Sequence, residues 1–280
     1  MADYTSVSSD AELASFLTRL RDRGVSEVAV DFEGEFNLHV YGERLCLLQI
    51  AHPDEEAVVD PFTTSNEALR GFLEDPQIRK ITYDSSSDRL LLAKSRGLRL
   101  VSIQDLRPAV ELLEFPKRDL GSVLETALGQ RPAGSKKRFQ QYNWTRRPLD
   151  PAAVEYALRD VRHLAELRDE LFARLDKEGL LDEYRAENER LESIEPNLNR
   201  KPGVFRSAAH KRLSPEQKRE FQRLYDIRDR HARELDLPPN TVVANKELFA
   251  LARGAMDVSA ITGNRRVPAE RLERIRKEMA

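Results

Sequence analysis

The sequence predicts an α/β domain built on a mixed sheet of about five strands, followed by a small all-helical module. Three features lead there. Over the first third of the chain, short β-rich runs alternate with segments of helical period. From residue 105 onward the periodicity is mostly helical. Pro196, Pro202 and Gly203 then interrupt the pattern before a fresh helix start at Ser214.

The elements follow in order. In "DAELASFLTRLRDRG" (10–24), Asp10 is placed as an N-cap, Leu13, Phe16, Leu17 and Leu20 recur at helical spacing, and Gly24 suits the stop. "EVAVDFE" (27–33) and "RLCLLQIAH" (44–52) read as an antiparallel pair of strands joined by a loop containing Gly42. "EAVVDP" (56–61) is a third strand, "NEALRGFLED" (66–75) a helix, and "RKITYD" (79–84) a fourth strand. "SSDRLLLAKSRG" (86–97) is a helix with serine capping its front and Gly97 its back. "LRLVSIQD" (98–105) completes the set.

Asp150 and Pro151 then give an N-cap followed by proline at the first helical position. Val154, Ala157, Leu158, Val161 and Leu164 mark one apolar stripe. Tyr156 and Asp160 fall on its flank, one turn apart and therefore neighbours. Farther on, Ser214-Pro215-Glu216-Gln217 has capping-box spacing, and further helices start near Asn245 and Pro268, in a bundle of four or five short helices.

Composition narrows the function. Of 280 residues, 34 % are charged and 40 % hydrophobic, the profile of a globular domain. No apolar stretch approaches membrane-spanning length, and "MADYTSVSSD" lacks the pattern of a signal peptide. Cys46 is the single cysteine, within "LCLLQI", which excludes an internal disulfide and a thiolate zinc site. The expected compartment is the cytoplasm, with no membrane association. The net charge of −2 is unevenly spread. Residues 1–195 hold 27 Lys and Arg against 37 Asp and Glu, whereas 196–212 hold five basic residues and no acid. "QRPAGSKKRFQQYNWTRR" (130–147) holds six basic residues and no acid. Such local cationic segments suit an anionic polymer contacted at chosen places.

The apolar run Val28-Ala29-Val30 leads into Asp31, Phe32 and Glu33. On a strand, Asp31 and Glu33 point to one face, where two carboxylates repel unless something compensates them. Water at a strand end is one answer, and a divalent cation is the other. Asp88, near the start of the helix after the fourth strand, and Asp160 beside Tyr156 add acids from two more elements. Four carboxylates from three elements could hold two divalent ions in a phosphodiester-cleaving site.

"VAVDFEG", "DSSSDRLLL" and "EYALRDVRHL" resemble the three exonuclease motifs of the ribonuclease D family, in the tyrosine-bearing (DEDDy) group of 3′→5′ exonucleases. "LSPEQKREFQRLYDIRDRHARELDLPPNTVVANKELFALA" is similar to the HRDC domain. The motif set departs from the strict pattern in an extra acid, Glu35, and in Asp84 four residues before Asp88. The resemblance implies a ribonuclease H-like exonuclease domain over residues 1–190, a basic linker over 191–209 and one HRDC domain over 210–280. It implies that Asp31, Glu33, Asp88 and Asp160 hold two Mg²⁺ or Mn²⁺ ions and that Tyr156 orients the attacking water. RNA 3′ ends, tRNA precursors among them, are the expected partners, and protein partners are left open.

Lys136, Lys137 and Arg138 are candidates for phosphate contact, and Trp144 for stacking on a base. Asp105 reads as a structural cap, and His163, one turn past Asp160, as incidental. Two alternatives remain beside the exoribonuclease: a 3′→5′ exonuclease acting on DNA, and a non-catalytic nucleic-acid-binding protein on a nuclease fold.

Overall fold

The structure, a computed structural model, describes residues 4–130, 139 and 141–280. The chain forms two compact units, Met1–Gly34 with Arg44–Leu198, and Glu35–Glu43 with Asn199–Ala280.

Among the described residues, the first unit is built on a sheet of six strands, close to the five expected: β1 (Thr5–Val7), β2 (Glu27–Phe36), β3 (Glu43–His52), β4 (Glu55–Val59), β5 (Arg79–Thr82) and β6 (Ile103–Asp105). The additional strand, β1, is three residues long, too short for alternation to reveal it. Across the sheet the order is β1-β4-β3-β2-β5-β6. The sheet is mixed as expected: β3 and β4 are antiparallel, while β1–β4, β2–β5 and β5–β6 are parallel. β2, the strand of Asp31 and Glu33, is thus central.

Alternation sends the side chains of β2 to two cores. Val28, Val30 and Phe32 pack with Leu13, Phe16, Leu17 and Leu20 of the helix Asp10–Asp22. That helix starts one residue earlier than its sequence suggests: Ser9 caps it by accepting the Glu12 N–H, and Asp10 accepts the Ser65 N–H at 2.7 Å instead. Ala29 packs on the opposite face with Ala153, Val154, Ala157, Leu158 and Val161 of the helix Pro151–Arg162. The apolar stripe does not run on through one long helix. The chain breaks at His163, and Leu164 begins a second helix, Leu164–Glu178.

In the second unit the predicted capping box is formed. The Ser214 hydroxyl accepts the Gln217 N–H at 3.2 Å, and the Gln217 side chain accepts the Ser214 N–H at 3.0 Å. The helix it opens, Pro215–Glu234, is 20 residues long, not short, because Phe221, Leu224, Arg228, His231 and Ala232 are buried along its length. Helices Asn245–Ala252 and Ala269–Met279 complete the packing. The expected linker, 191–209, is partly helical: one helix runs to Ser193, and Gly203–Arg206 and Ala208–Lys211 add short turns, with Phe205 set 5.5 Å from the Phe221 ring. Among the described residues, no helix is long and apolar enough to cross a membrane.

Candidate active site

Asp31 and Glu33 share the face of β2 that carries Ala29, so both look toward the helix Pro151–Arg162. That helix begins as its sequence predicts, with Asp150 accepting the Ala152 N–H at 2.9 Å and Pro151 at the first position. Its buried stripe faces the sheet and leaves Tyr156 and Asp160 half-buried on the flank.

Asp88 arrives on a third element, the helix Ser86–Arg96 that follows β5. The expected serine cap is absent there. The Ser85 hydroxyl donates to Asp105 at 2.8 Å instead of accepting from the helix. Asp105 is 3 % exposed. Its carboxylate also accepts the N–H groups of Asp84 at 2.8 Å, Ser85 at 2.7 Å and Arg107 at 2.9 Å. It is the structural cap its position suggests, and it fixes Asp84 at φ +61°, where a non-glycine residue needs such support. The Asp84 side chain is exposed and pairs with Arg107 at 3.1 Å. This separates the two acids of the second motif, since the charge of Asp88 is the one felt by Glu33.

The four carboxylates form one electrostatic system. Burial, then the charge of Asp160, pushes Asp31 up to about 7. Burial raises Glu33 well above the carboxylate range, with Asp31, Asp160 and Asp88 adding to it. Burial does the same to Asp88, followed by Asp31, Asp105 and Asp84. The Tyr156 phenol is raised by burial and then by Asp160, Glu33 and Asp31. Its ring lies 5.1 Å from that of Phe139.

Among the described residues, no three His, Cys, Asp or Glu side chains close into a group that would hold an ion as they stand. Carboxylates repel, and they close only around compensating charge. The donor set still fits hard divalent cations: every candidate donor atom is an oxygen, and burial together with neighbouring charge favours proton uptake at Asp31, Glu33 and Asp88.

Other candidates separate cleanly. Glu35, the extra acid, is 1 % exposed and accepts the N–H groups of Leu38 and His39, so it shapes the loop after β2. Trp144 is 3 % exposed, edge-on to Tyr142 at 4.8 Å. Such burial argues against the expected stacking on a base, because almost none of the ring is accessible to a nucleotide. Arg147, within the basic run 130–147, binds Asp60 at 2.5 and 2.8 Å and the Cys46 carbonyl at 2.7 Å. Its role is structural, and no local signal in the sequence marks it. His163 sits 3.3 Å from Glu166. Lys136, Lys137 and Arg138 lie outside the described residues.

The chain is similar to known proteins over most of its length. Residues 4–176 match the family described as 3′-5′ exonuclease, and 217–256 match the HRDC domain. Ribonuclease D of Xanthomonas oryzae pv. oryzae is 31 % identical over 218 residues, 76 % of this chain and 59 % of that protein. An exosome complex component 10 homolog of Caenorhabditis elegans is 28 % identical over 235 residues, 81 % of this chain and 26 % of that one. The chain therefore spans less than two thirds of either relative. The crystal structure of Escherichia coli RNase D shares the fold, with a TM-score of 0.70 at 24 % identity over 99 % of this chain and 75 % of that one.

Proposed function

The chain belongs to the 3′-5′ exonuclease family and carries an HRDC domain, and on that premise we propose that it is a metal-dependent 3′→5′ exoribonuclease releasing nucleoside 5′-monophosphates. One observation carries the reading most directly. Glu33 stands in the joint field of Asp31, Asp160 and Asp88, acids from three separate elements.

Asp31, Glu33, Asp88 and Asp160 would hold two Mg²⁺ or Mn²⁺ ions, which would supply a water of lowered pKa and stabilise the departing 3′-oxygen. Tyr156 orients the attacking water. A phenol ionises near ~10, and here it is pushed higher still, so it is no base at neutral pH. Its hydroxyl sits one turn from Asp160 on a helix whose buried stripe keeps both in place. Lys136, Lys137 and Arg138 would contact phosphates, and the HRDC domain would hold the substrate. RNA is favoured because the matched relatives include proteins named ribonuclease D. We place tRNA precursors among the substrates on the strength of the same resemblance. A reducing compartment such as the cytoplasm suits a chain whose single cysteine, Cys46, is buried.

The test uses 5′-end-labelled RNA and DNA of equal length, with Mg²⁺ or with EDTA, beside Asp31→Asn. Stepwise shortening of RNA that needs both the metal and Asp31 is expected. Faster shortening of DNA would make it a deoxyribonuclease, and binding without cleavage would make it a non-catalytic module.

A further inference from the structure

Asp88 has a problem that its neighbours create. It joins Asp31, Glu33 and Asp160 from a separate element, and like charges resist close approach, so its helix needs an anchor. Its own helix supplies only two residues of backbone before it, because the helix starts at Ser86.

The next residue, Arg89, reaches to the end of the helix Leu181–Ser193. Its guanidinium donates to the carbonyls of Leu191, of Glu192 at 2.9 Å and of Ile194 at 2.6 Å. Carbonyls at a helix C-terminus lack internal partners and carry partial negative charge, so a forked cation fits there. The same helix is fastened to β6. Asn188 accepts the Asp105 N–H and donates to the Ile103 carbonyl, each at 2.8 Å. The Tyr184 hydroxyl donates to the Asp105 carbonyl at 3.1 Å, and Glu192 accepts the Ser102 N–H at 2.6 Å. Asp105 in turn grips the Asp84–Ser85 turn that leads into Asp88. A closed circuit results: Arg89 to the helix end, the helix to β6, and β6 through Asp105 back to the start of the helix that bears Asp88.

We propose that Arg89 is a positioning residue for Asp88, with helix Leu181–Ser193 as its brace. That helix lies wholly beyond the residues matched by the exonuclease family, 4–176. The site's support therefore extends past the family's boundary. This rests on the metal-binding reading of Asp88 given above.

Arg96 provides the control. It stands at the other end of the same helix and makes the same type of bond, to the Pro61 carbonyl at 2.5 Å and to Asn66 at 3.2 Å. Mn²⁺ would be titrated calorimetrically into metal-free full-length protein, comparing wild type, Arg89→Ala, Arg89→Lys, Arg96→Ala and Asp31→Asn. Arg89→Ala should weaken Mn²⁺ binding about 10-fold or more, the usual effect of losing a group that orients a ligand. Arg89→Lys should fall between, since one ammonium cannot serve three carbonyls at once. Arg96→Ala should lower the melting temperature similarly yet bind Mn²⁺ within about twofold of wild type. Should Arg89→Ala fail to fold, Arg89→Gln, which keeps much of the stem and one donor group, takes its place. Wild-type Mn²⁺ affinity in the Arg89 variants, or equal weakening in Arg96→Ala, overturns the brace alone. Unchanged binding in Asp31→Asn would overturn the ligand assignment and the brace with it.

Discussion

The carboxylate of Asp31, on the central strand β2, stands in the field of Asp160 on the helix Pro151–Arg162, and burial together with that charge lifts Asp31 to about 7. A carboxyl raised above its unfolded value of 3.8 binds its proton more tightly when folded. Its contribution to stability is therefore fully present below pH ~4 and is lost as the pH rises through ~7. In metal-free buffer the melting temperature should decline across that window apart from the ordinary trend of the other groups. Asp160→Asn should flatten the decline. A variant that melts with the wild-type pH profile would show that the two acids do not interact.

Asp31→Asn and Asp160→Asn should each abolish nearly all nuclease turnover. Neither should unfold the metal-free protein, because each removes a repelling charge. The metal-free melting temperature should hold or rise. Half of wild-type turnover at saturating Mg²⁺ in either variant would rule out their role as ligands.

Tyr156→Phe separates orientation from packing. The ring keeps its place beside Phe139 at 5.1 Å, and only the hydroxyl goes. Turnover should fall by roughly 10²-fold, within the range for a positioned acid–base group. Calorimetric Mn²⁺ affinity should stay near wild type. An undiminished rate would reduce Tyr156 to a packing residue.

Trp144→Ala should act on stability. Removing a buried indole costs about 3–5 kcal/mol in a core, and Trp144 is 3 % exposed. Urea unfolding should show that loss, while RNA affinity per folded molecule stays unchanged. A large loss of affinity in a stably folded variant would restore the indole to the nucleic-acid surface.

Replacing Lys136, Lys137 and Arg138 together by alanine should flatten the dependence of log K on log[salt] for single-stranded RNA. Each lost phosphate contact removes about 0.7 from the slope. Fluorescence anisotropy across a salt series measures it, and an unaltered slope would place the phosphate contacts elsewhere.

The sequence by itself determined whatever rests on near neighbours in the chain. Period-2 alternation put Asp31 and Glu33 on one face of β2, and the Asp150–Pro151 start fixed the phase that makes Tyr156 and Asp160 neighbours. The Ser214 capping box was equally legible, because its partners are three residues apart. The ordered motifs then selected the family.

Tertiary structure decided what depends on partners far along the chain. Whether Asp84 or Asp88 joins the acid cluster turned on Asp105 and Arg107, about twenty residues away. Trp144 went to the core and Arg147 to Asp60, 87 residues distant, although both lie in a run whose composition suits a nucleic-acid surface. Arg89 found its carbonyls more than 100 residues on. The physical reason is common to these cases. Local propensity is set by sterics and bonds within a few residues, whereas burial and charge pairing depend on which surfaces the folded chain brings together.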